Sequence, residues 1–260
     1  MAQRNGRDAE CLTFEYVRAG RTDATELDLY LEPFQSSFVV FTADNQDPLI
    51  SRTNVRTLRL EQTPQGKTLT GEVSEKNEYF VTLSSGETKH VTVADLPNAI
   101  SLEGPWHLQL GGASIRLERL RSWTELKAGE RYSGWATYET TFEMGGLRNG
   151  VSWAVDLGEV HETAEAELNG ISLGAAWTGL RRLAARGALK EGRNVLRVAV
   201  ANLWIQKVAH EPQPDRELVV ETYGARWGEP ELSGPLQLPP SGLLGPVRLV
   251  PAAHVSWHIA

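Results

Sequence analysis

The sequence predicts an all-β protein, and three observations carry the prediction. Apolar and polar residues alternate strictly through several short segments, the period of a strand with one buried face. Gly, Asn and Pro separate those segments at the spacing of turns. The three- and four-residue apolar spacing of an amphipathic helix is nearly absent across the 260 residues. With 41% apolar residues the chain can bury a sizeable core, in one large domain or two ordinary ones.

Taken in order, residues 1–100 read as a smaller β unit. Leu27, Leu29 and Leu31 alternate with Asp28, Tyr30 and Glu32, and Pro33 closes that strand. Residues 37–41 form an apolar run suited to a strand buried on both faces. Shorter strands are expected near 55–61, 67–73, 78–83 and 89–93, with Gly66 and Gly86 in the turns between them. Residues 94–98 read as a linker.

A second unit is expected over residues 101–260. His107–Leu110 and Ser114–Leu117 flank Gly111-Gly112 as a hairpin. Residues 119–134 are irregular, and a strand follows over 135–144. Val151, Trp153, Val155 and Leu157 then fall on one side of a pleat. Ala164, Ala166 and Leu168 do the same, as do Leu196, Val198 and Val200. Asn169-Gly170 is the strongest short hairpin signal, because both residues tolerate the positive φ of a tight I′ turn. Residues 176–193 read as a loop, 205–240 as a polar, Pro-rich insertion, and 245–250 as the last strand. About eight strands with hairpin and crossover links suggest a jelly roll.

Composition excludes several classes of function. A net charge of −7 with scattered Lys and Arg argues against nucleic acid and anionic membranes as partners. No apolar run approaches a membrane span. The single cysteine, Cys11, rules out an internal disulfide framework. The opening residues MAQRNGRDAE lack the apolar region of a signal peptide, so the chain as it stands reads as cytoplasmic. No Gly-x-Ser-x-Gly elbow, phosphate loop or Rossmann fingerprint occurs, and no cofactor is expected.

Read together, a series of motifs resembles the non-catalytic end of a large glycosidase. They are Gly104-Pro-Trp106, Tyr132-Ser-Gly134, Asp156-Leu-Gly158, Ala164-x-Ala-x-Leu-Asn-Gly170, Gly192-x-Asn194, Asn202-Leu-Trp204 and Ser241-Gly-Leu-Leu-Gly-Pro-Val247. Their order and spacing are similar to the C-terminal galactose-binding-like β-sandwich of glycoside hydrolase family 106, the α-L-rhamnosidases. More distantly they resemble the sugar-binding domain of family 2. The resemblance implies a galactose-binding-like jelly roll, a carbohydrate ligand, and a catalytic glycosidase domain as a partner. It also implies that the family's catalytic carboxylates and metal ligands lie in an N-terminal barrel. This chain has no βα alternation and therefore no such barrel, so none of those residues carries over. Enzymes of this kind are often exported.

Candidate chemistry follows from residue types. Glycoside hydrolysis needs two carboxyls, ~5–5.5 Å apart for retention or ~6.5–9.5 Å for inversion. Glu165 and Glu167 share a strand face about 6.6 Å apart along the backbone, and Asp156, Glu159 and Glu162 surround the preceding turn. The bland alternative is an ordinary solvated strand face. His161-Glu162-x-x-Glu165 is half of a zincin motif without the second histidine or the helix, and His254 and His258 lie in the tail, so no metal site is expected. Trp106, Trp153 and Trp204 read as core, whereas Trp123, Trp135, Trp177 and Trp227 fall in loops or at strand ends. A Trp177 ring near the Arg181 and Arg182 donors suits a sugar; packing of these rings against loops is the competing reading. Three functions stay open: a carbohydrate-binding or accessory module of a rhamnosidase-like glycosidase, a small free-standing glycosidase, or a purely structural domain.

Overall fold

A computed structural model of the chain describes residues 50–56, 58–63, 66–177, 181–185, 187–208 and 238–259, and among these the two-residue alternation is realised almost wherever it occurs. The strands expected over 27–31 and 37–41, Cys11, Trp227 and most of the 205–240 insertion lie outside the described residues. In chain order the strands begin with β1 (Ile50–Thr53), β2 (Leu58–Thr63), β3 (Gly66–Val73), β4 (Asn77–Leu83), β5 (Thr88–Val93) and β6 (Ile100–Ser101). Next come β7 (Trp106–Leu110), β8 (Ala113–Leu117), β9 (Trp135–Met144), β10 (Val151–Asp156), β11 (Glu159–His161) and β12 (Thr163–Leu168). The last are β13 (Ile171–Ala176), β14 (Arg182–Ala184), β15 (Gly192–Ala201), β16 (Gly242–Gly245) and β17 (Arg248–Ile259). Helical structure among the described residues is one 3₁₀ turn at Trp123–Glu125 and a four-residue helix α1 at Ile205–Val208. The fold is an all-β sandwich type, as the alternation predicts.

The chain divides into two compact units. The first contains the residues up to Ile100 together with Leu147–Ala154 and Leu249–Ala260. Its strands β1, β4 and β5 form an antiparallel sheet, and in the β4–β5 turn the Gly86 amide donates a hydrogen bond to the Leu83 carbonyl. A second sheet orders β10, β17, β3 and β2. Leu58, Leu69, Val81, Val255, Trp257 and Ile259 lie in its core. The expectation that the last strand stops at residue 250 is corrected: β17 runs to Ile259 and pairs with β3 from Ala253↔Val73 to Ile259↔Lys67. Pro251-Ala-Ala reads as a break, yet Val255, Trp257 and Ile259 bury alternately and continue the strand. His254 and His258 therefore sit on a strand, about 13 Å apart, too far to share one ion.

The second unit comprises Ser101–Gly146 and Val155–Arg248. Its main sheet has six strands in the order β13-β12-β15-β9-β7-β8, with antiparallel pairing throughout. The longest ladder joins β15 to β9 from Gly192↔Met144 to Ala201↔Trp135 without a shift. Inward residues such as Leu108, Tyr138, Leu168, Leu196, Val198 and Val200 are fully buried. Each large one contributes on the order of 1.5–3 kcal/mol. Among its described residues, the segment read as a loop over 176–193 holds the short strand β14, too short to show a period, between the end of β13 and the start of β15.

Asn169 takes the left-handed conformation that the hairpin signal requires, with φ 53°. Its side chain also serves as a bolt. Nδ2 donates to the Ala188 carbonyl at 2.8 Å and to Asn194 Oδ1 at 2.7 Å, and Oδ1 accepts from the Val195 amide at 2.9 Å. Asn194 is fully buried and satisfied: Oδ1 also accepts from the Lys190 amide, and Nδ2 donates to the Lys190 and Gly192 carbonyls. Asn169→Ala is expected to cost about 2–3 kcal/mol, combining left-handed strain with an orphaned buried acceptor. Urea denaturation of mutant and parent checks this, and equal midpoints would contradict it.

Tyr138 supplies a second internal tie. Its phenol oxygen accepts from the Leu243 amide at 3.1 Å, and Gly242 (φ 98°) lies so close that a Cβ would approach that oxygen to 2.4 Å. Burial pushes the Tyr138 pKa up to about 12, partly offset by the Leu243 hydrogen bond. A raised phenol pKa means the folded state holds its proton more tightly than the unfolded chain. The corresponding stability is present below pH ~10 and lost as pH climbs toward 12, roughly 2–3 kcal/mol in all. Tyr138→Phe is expected to lower stability at pH 8 by about 1–3 kcal/mol, through the unpaired Leu243 amide. It is also expected to flatten the decline above pH 10. Melting curves from pH 8 to 11.5 compare the two, and parallel declines would show that Tyr138 does not drive the loss.

Candidate functional site

The acidic residues singled out from the sequence divide between a turn and a sheet face. At the end of β10, one Asp156 oxygen accepts from the Gly158 amide at 3.0 Å and the other from Arg182 Nε at 2.8 Å. Gly158 has φ 64°, and a Cβ there would stand 2.5 Å from the Gly245 carbonyl carbon. Asp156 thus closes a turn into which no side chain fits. Glu159 Oε1 lies 2.8 Å from His161 Nε2, and Glu162 Oε1 lies 3.7 Å from His161 Nδ1. Glu165 and Glu167 project from β12 on the side away from the buried Ala164, Ala166 and Leu168. No Asp or Glu among the described residues is buried. A glycosidase acid needs such shelter to stay protonated beside an ionised partner. No group of three or more His, Cys, Asp or Glu among the described residues could hold a metal ion.

The aromatic residues are placed differently from one another. Trp123 is corrected from a loop platform to core: it is wholly enclosed and meets the Tyr132 ring edge-on at 5.8 Å. Trp106 and Trp153 are buried as expected. Trp204, read as core, is instead 76% exposed. Trp177 and Trp135 are 69% and 53% exposed. Arg182 is committed to Asp156, while Arg181 is half-buried, with its carbonyl accepting from the Leu157 amide.

Asn202 fixes the corner at which two of these rings emerge. Its Oδ1 accepts from the Gly134 amide at 2.9 Å, and its Nδ2 donates to the Tyr132 carbonyl at 2.9 Å and Ser241 Oγ at 3.3 Å. Ser133 Oγ donates to the Leu203 carbonyl at 2.6 Å, and the Tyr132 hydroxyl to the Trp135 carbonyl at 2.7 Å. Two motifs distant in sequence, Tyr132-Ser-Gly134 and Asn202-Leu-Trp204, are thereby joined. They hold Trp135, Leu203 and Trp204 at the surface on a hydrogen-bonded base. Exposed aromatic side chains on a braced backbone lose little freedom when a flat apolar ligand face stacks on them. The sequence signal for Trp204 was equivocal, because a Trp just after a strand reads as its apolar continuation.

No protein-family model matches the chain. A Formosa agariphila protein named "Putative beta-glucuronidase" is 31% identical over 182 residues, covering 64% of this chain and 16% of that protein. The chain thus spans about a sixth of the length of the curated relative it matches. Among solved structures, the rhamnosidase from Novosphingobium sp. PP1Y is similar over 82% of this chain and 24% of its own, at 24% identity and a TM-score of 0.49. A Faecalibacterium prausnitzii β-glucuronidase is similar over 62% and 33%, at 16% identity and a TM-score of 0.42. These relatives are glycoside hydrolases, each matched over a part of its length.

The clamp makes a testable statement about the corner. Asn202→Ala is expected to destabilise by about 2 kcal/mol, since the Gly134 amide and Tyr132 carbonyl lose their partner. It should also weaken the near-ultraviolet tryptophan dichroism as Trp135 and Trp204 loosen. Unchanged stability and an unchanged spectrum would show that the corner holds without it.

Proposed function

We propose that this chain is a non-catalytic accessory module of a rhamnosidase-like glycoside hydrolase, folded as a galactose-binding-like jelly roll, and that it binds carbohydrate. The observation that carries this reading is the match to a module-sized 16% of a much longer β-glucuronidase-named protein. The motif series from Gly104-Pro-Trp106 to Val247 supports the same reading. So does the braced corner of exposed tryptophans, since aromatic faces complement the apolar faces of sugar rings. The partner implied is a catalytic glycosidase domain, which would gain local substrate concentration from a tethered binder.

The alternative of a small enzyme rests on Glu165 and Glu167 and the acid-rich turn. It is disfavoured by their surroundings. Asp156 is spent on the Gly158 turn and Arg182, Glu159 and Glu162 flank His161, and the strand glutamates face solvent. The purely structural reading is disfavoured by the exposure of Trp135, Trp177 and Trp204.

The test is the purified chain in calorimetric titration with oligosaccharides, alongside aryl-rhamnosides, galactosides, glucosides and glucuronides as substrates. Binding without turnover is the expected outcome. Robust turnover abolished by Asn or Gln at two of Asp156, Glu159, Glu162, Glu165 and Glu167, with the fold kept, would make the chain an enzyme. Neither binding nor turnover would leave the structural reading.

A further inference from the structure

The ladders of the six-stranded sheet place side chains in rows across its outward face. Thr163 pairs with Ala201, and Ala201 with Trp135. Ala164 pairs with Ala176, so one further step of that ladder sets Trp177 across from Thr163. Alternation from the buried Ala136, Ala164 and Val200 turns Trp135, Thr163 and Ala201 outward, and Trp177, which follows the buried Ala176, is 69% exposed. One row therefore reads Trp177, Thr163, Ala201, Trp135. The rings stand three strand spacings apart, about 14 Å, with only a threonine and an alanine between them. The next row is Ala175, Glu165, Ala199, Thr137 and Gln109. The row after it carries Glu167, Arg197, Glu139 and His107, with Arg197 and Glu139 ion-paired at 3.3 Å.

We propose that this face is the binding platform for a neutral oligosaccharide laid across the strands, stacked on Trp135 at one end and Trp177 at the other. The claim rests on the carbohydrate-binding reading above and goes beyond it in naming the surface, the length and the charge of the ligand. Small side chains floor a shallow trough between two tall rings, which gives a flat ligand room to lie down. Thr163, Thr137, Gln109 and Glu165 line it with hydrogen-bonding groups suited to hydroxyls. The centre of a protein-docking patch is apolar and poor in charge, whereas this strip is polar between its rings. The separation of the rings exceeds a single sugar, so one residue cannot engage both. Glu165 stands in the row next to the aromatic one, and Arg197, a further row away on this face, is held by Glu139. A uronate-bearing chain would meet an uncompensated carboxylate there.

The experiment is a glycan array of neutral and uronate-bearing saccharides of one to six residues, followed by titration of the best neutral series. It uses the parent, Trp135→Ala, Trp177→Ala and the corresponding Phe variants. Both rings are exposed, and melting curves confirm that each variant folds. Affinity is expected to rise with length and to exceed that for the monosaccharide at least tenfold. Each Ala variant should lose about tenfold on the longer ligands and little on the monosaccharide, with Phe restoring most of the loss. Glu165→Gln should improve uronate binding relative to neutral binding. Length-independent affinity, or oligosaccharide binding untouched by both Ala variants, would overturn the platform and leave the carbohydrate-binding reading standing. Preference for uronates in the parent would overturn the neutral assignment. No binding across the array would overturn both.

Discussion

Much of the second unit depends on one hydrogen-bonded pair, the half-buried Asn169 and the fully buried Asn194. Asn194 is wholly enclosed and has all its polar capacity used, so any displacement would orphan several groups at once. The pair ties the β12–β13 turn to the beginning of β15. That junction sets the register of β12 on β15, and β15 passes its register to β9 through ten residue pairs. In a sheet, register decides which face every side chain occupies, and a one-residue slip would turn the core outward. The same constraint that buries Leu168, Leu196 and Val198 thereby exposes Trp135 and aligns it with Thr163.

A second layer of polar ties links loops to this frame. Tyr138 receives the Leu243 amide, and the Ser241 amide donates to Ser122 Oγ. Asn202 reaches from the end of β15 to Tyr132, Gly134 and Ser241. Each tie satisfies a backbone group that would otherwise be unpaired away from solvent. Together they turn irregular connections into fixed supports. That is the physical difference between a Trp in a slack loop and one held on a fixed support.

The acidic residues illustrate how one residue type serves different ends. Asp156 and its Arg182 partner hold a turn closed, and the non-glycine alternatives at position 158 are excluded by the Gly245 backbone. The glutamates of β12 keep a solvent-facing surface polar, as the outward side of an antiparallel strand commonly is. Spacing alone made both groups look like potential catalytic pairs. A linear pattern supplies neither burial nor partners; in three dimensions Asp156 is engaged in a turn and the β12 glutamates lie on the sheet face away from the core.

The sequence by itself determined the all-β class, most strand positions and the Asn169-Gly170 turn. These rest on period-two alternation and on the backbone freedom of Asn and Gly, which are local properties. It also exposed the motif series that resembles glycosidase accessory sandwiches. The full length of β17, the burial of Trp123 and the exposure of Trp204 were decided only in three dimensions. Pro251-Ala-Ala hid the continuing alternation, and a tryptophan beside a turn carries no local sign of which way it faces. The alignment of Trp135 with Thr163 needed three strands, β9, β15 and β12, brought into register from distant segments. Pairing between distant strands is a cooperative outcome of the packed sheet, and no single stretch of sequence encodes it.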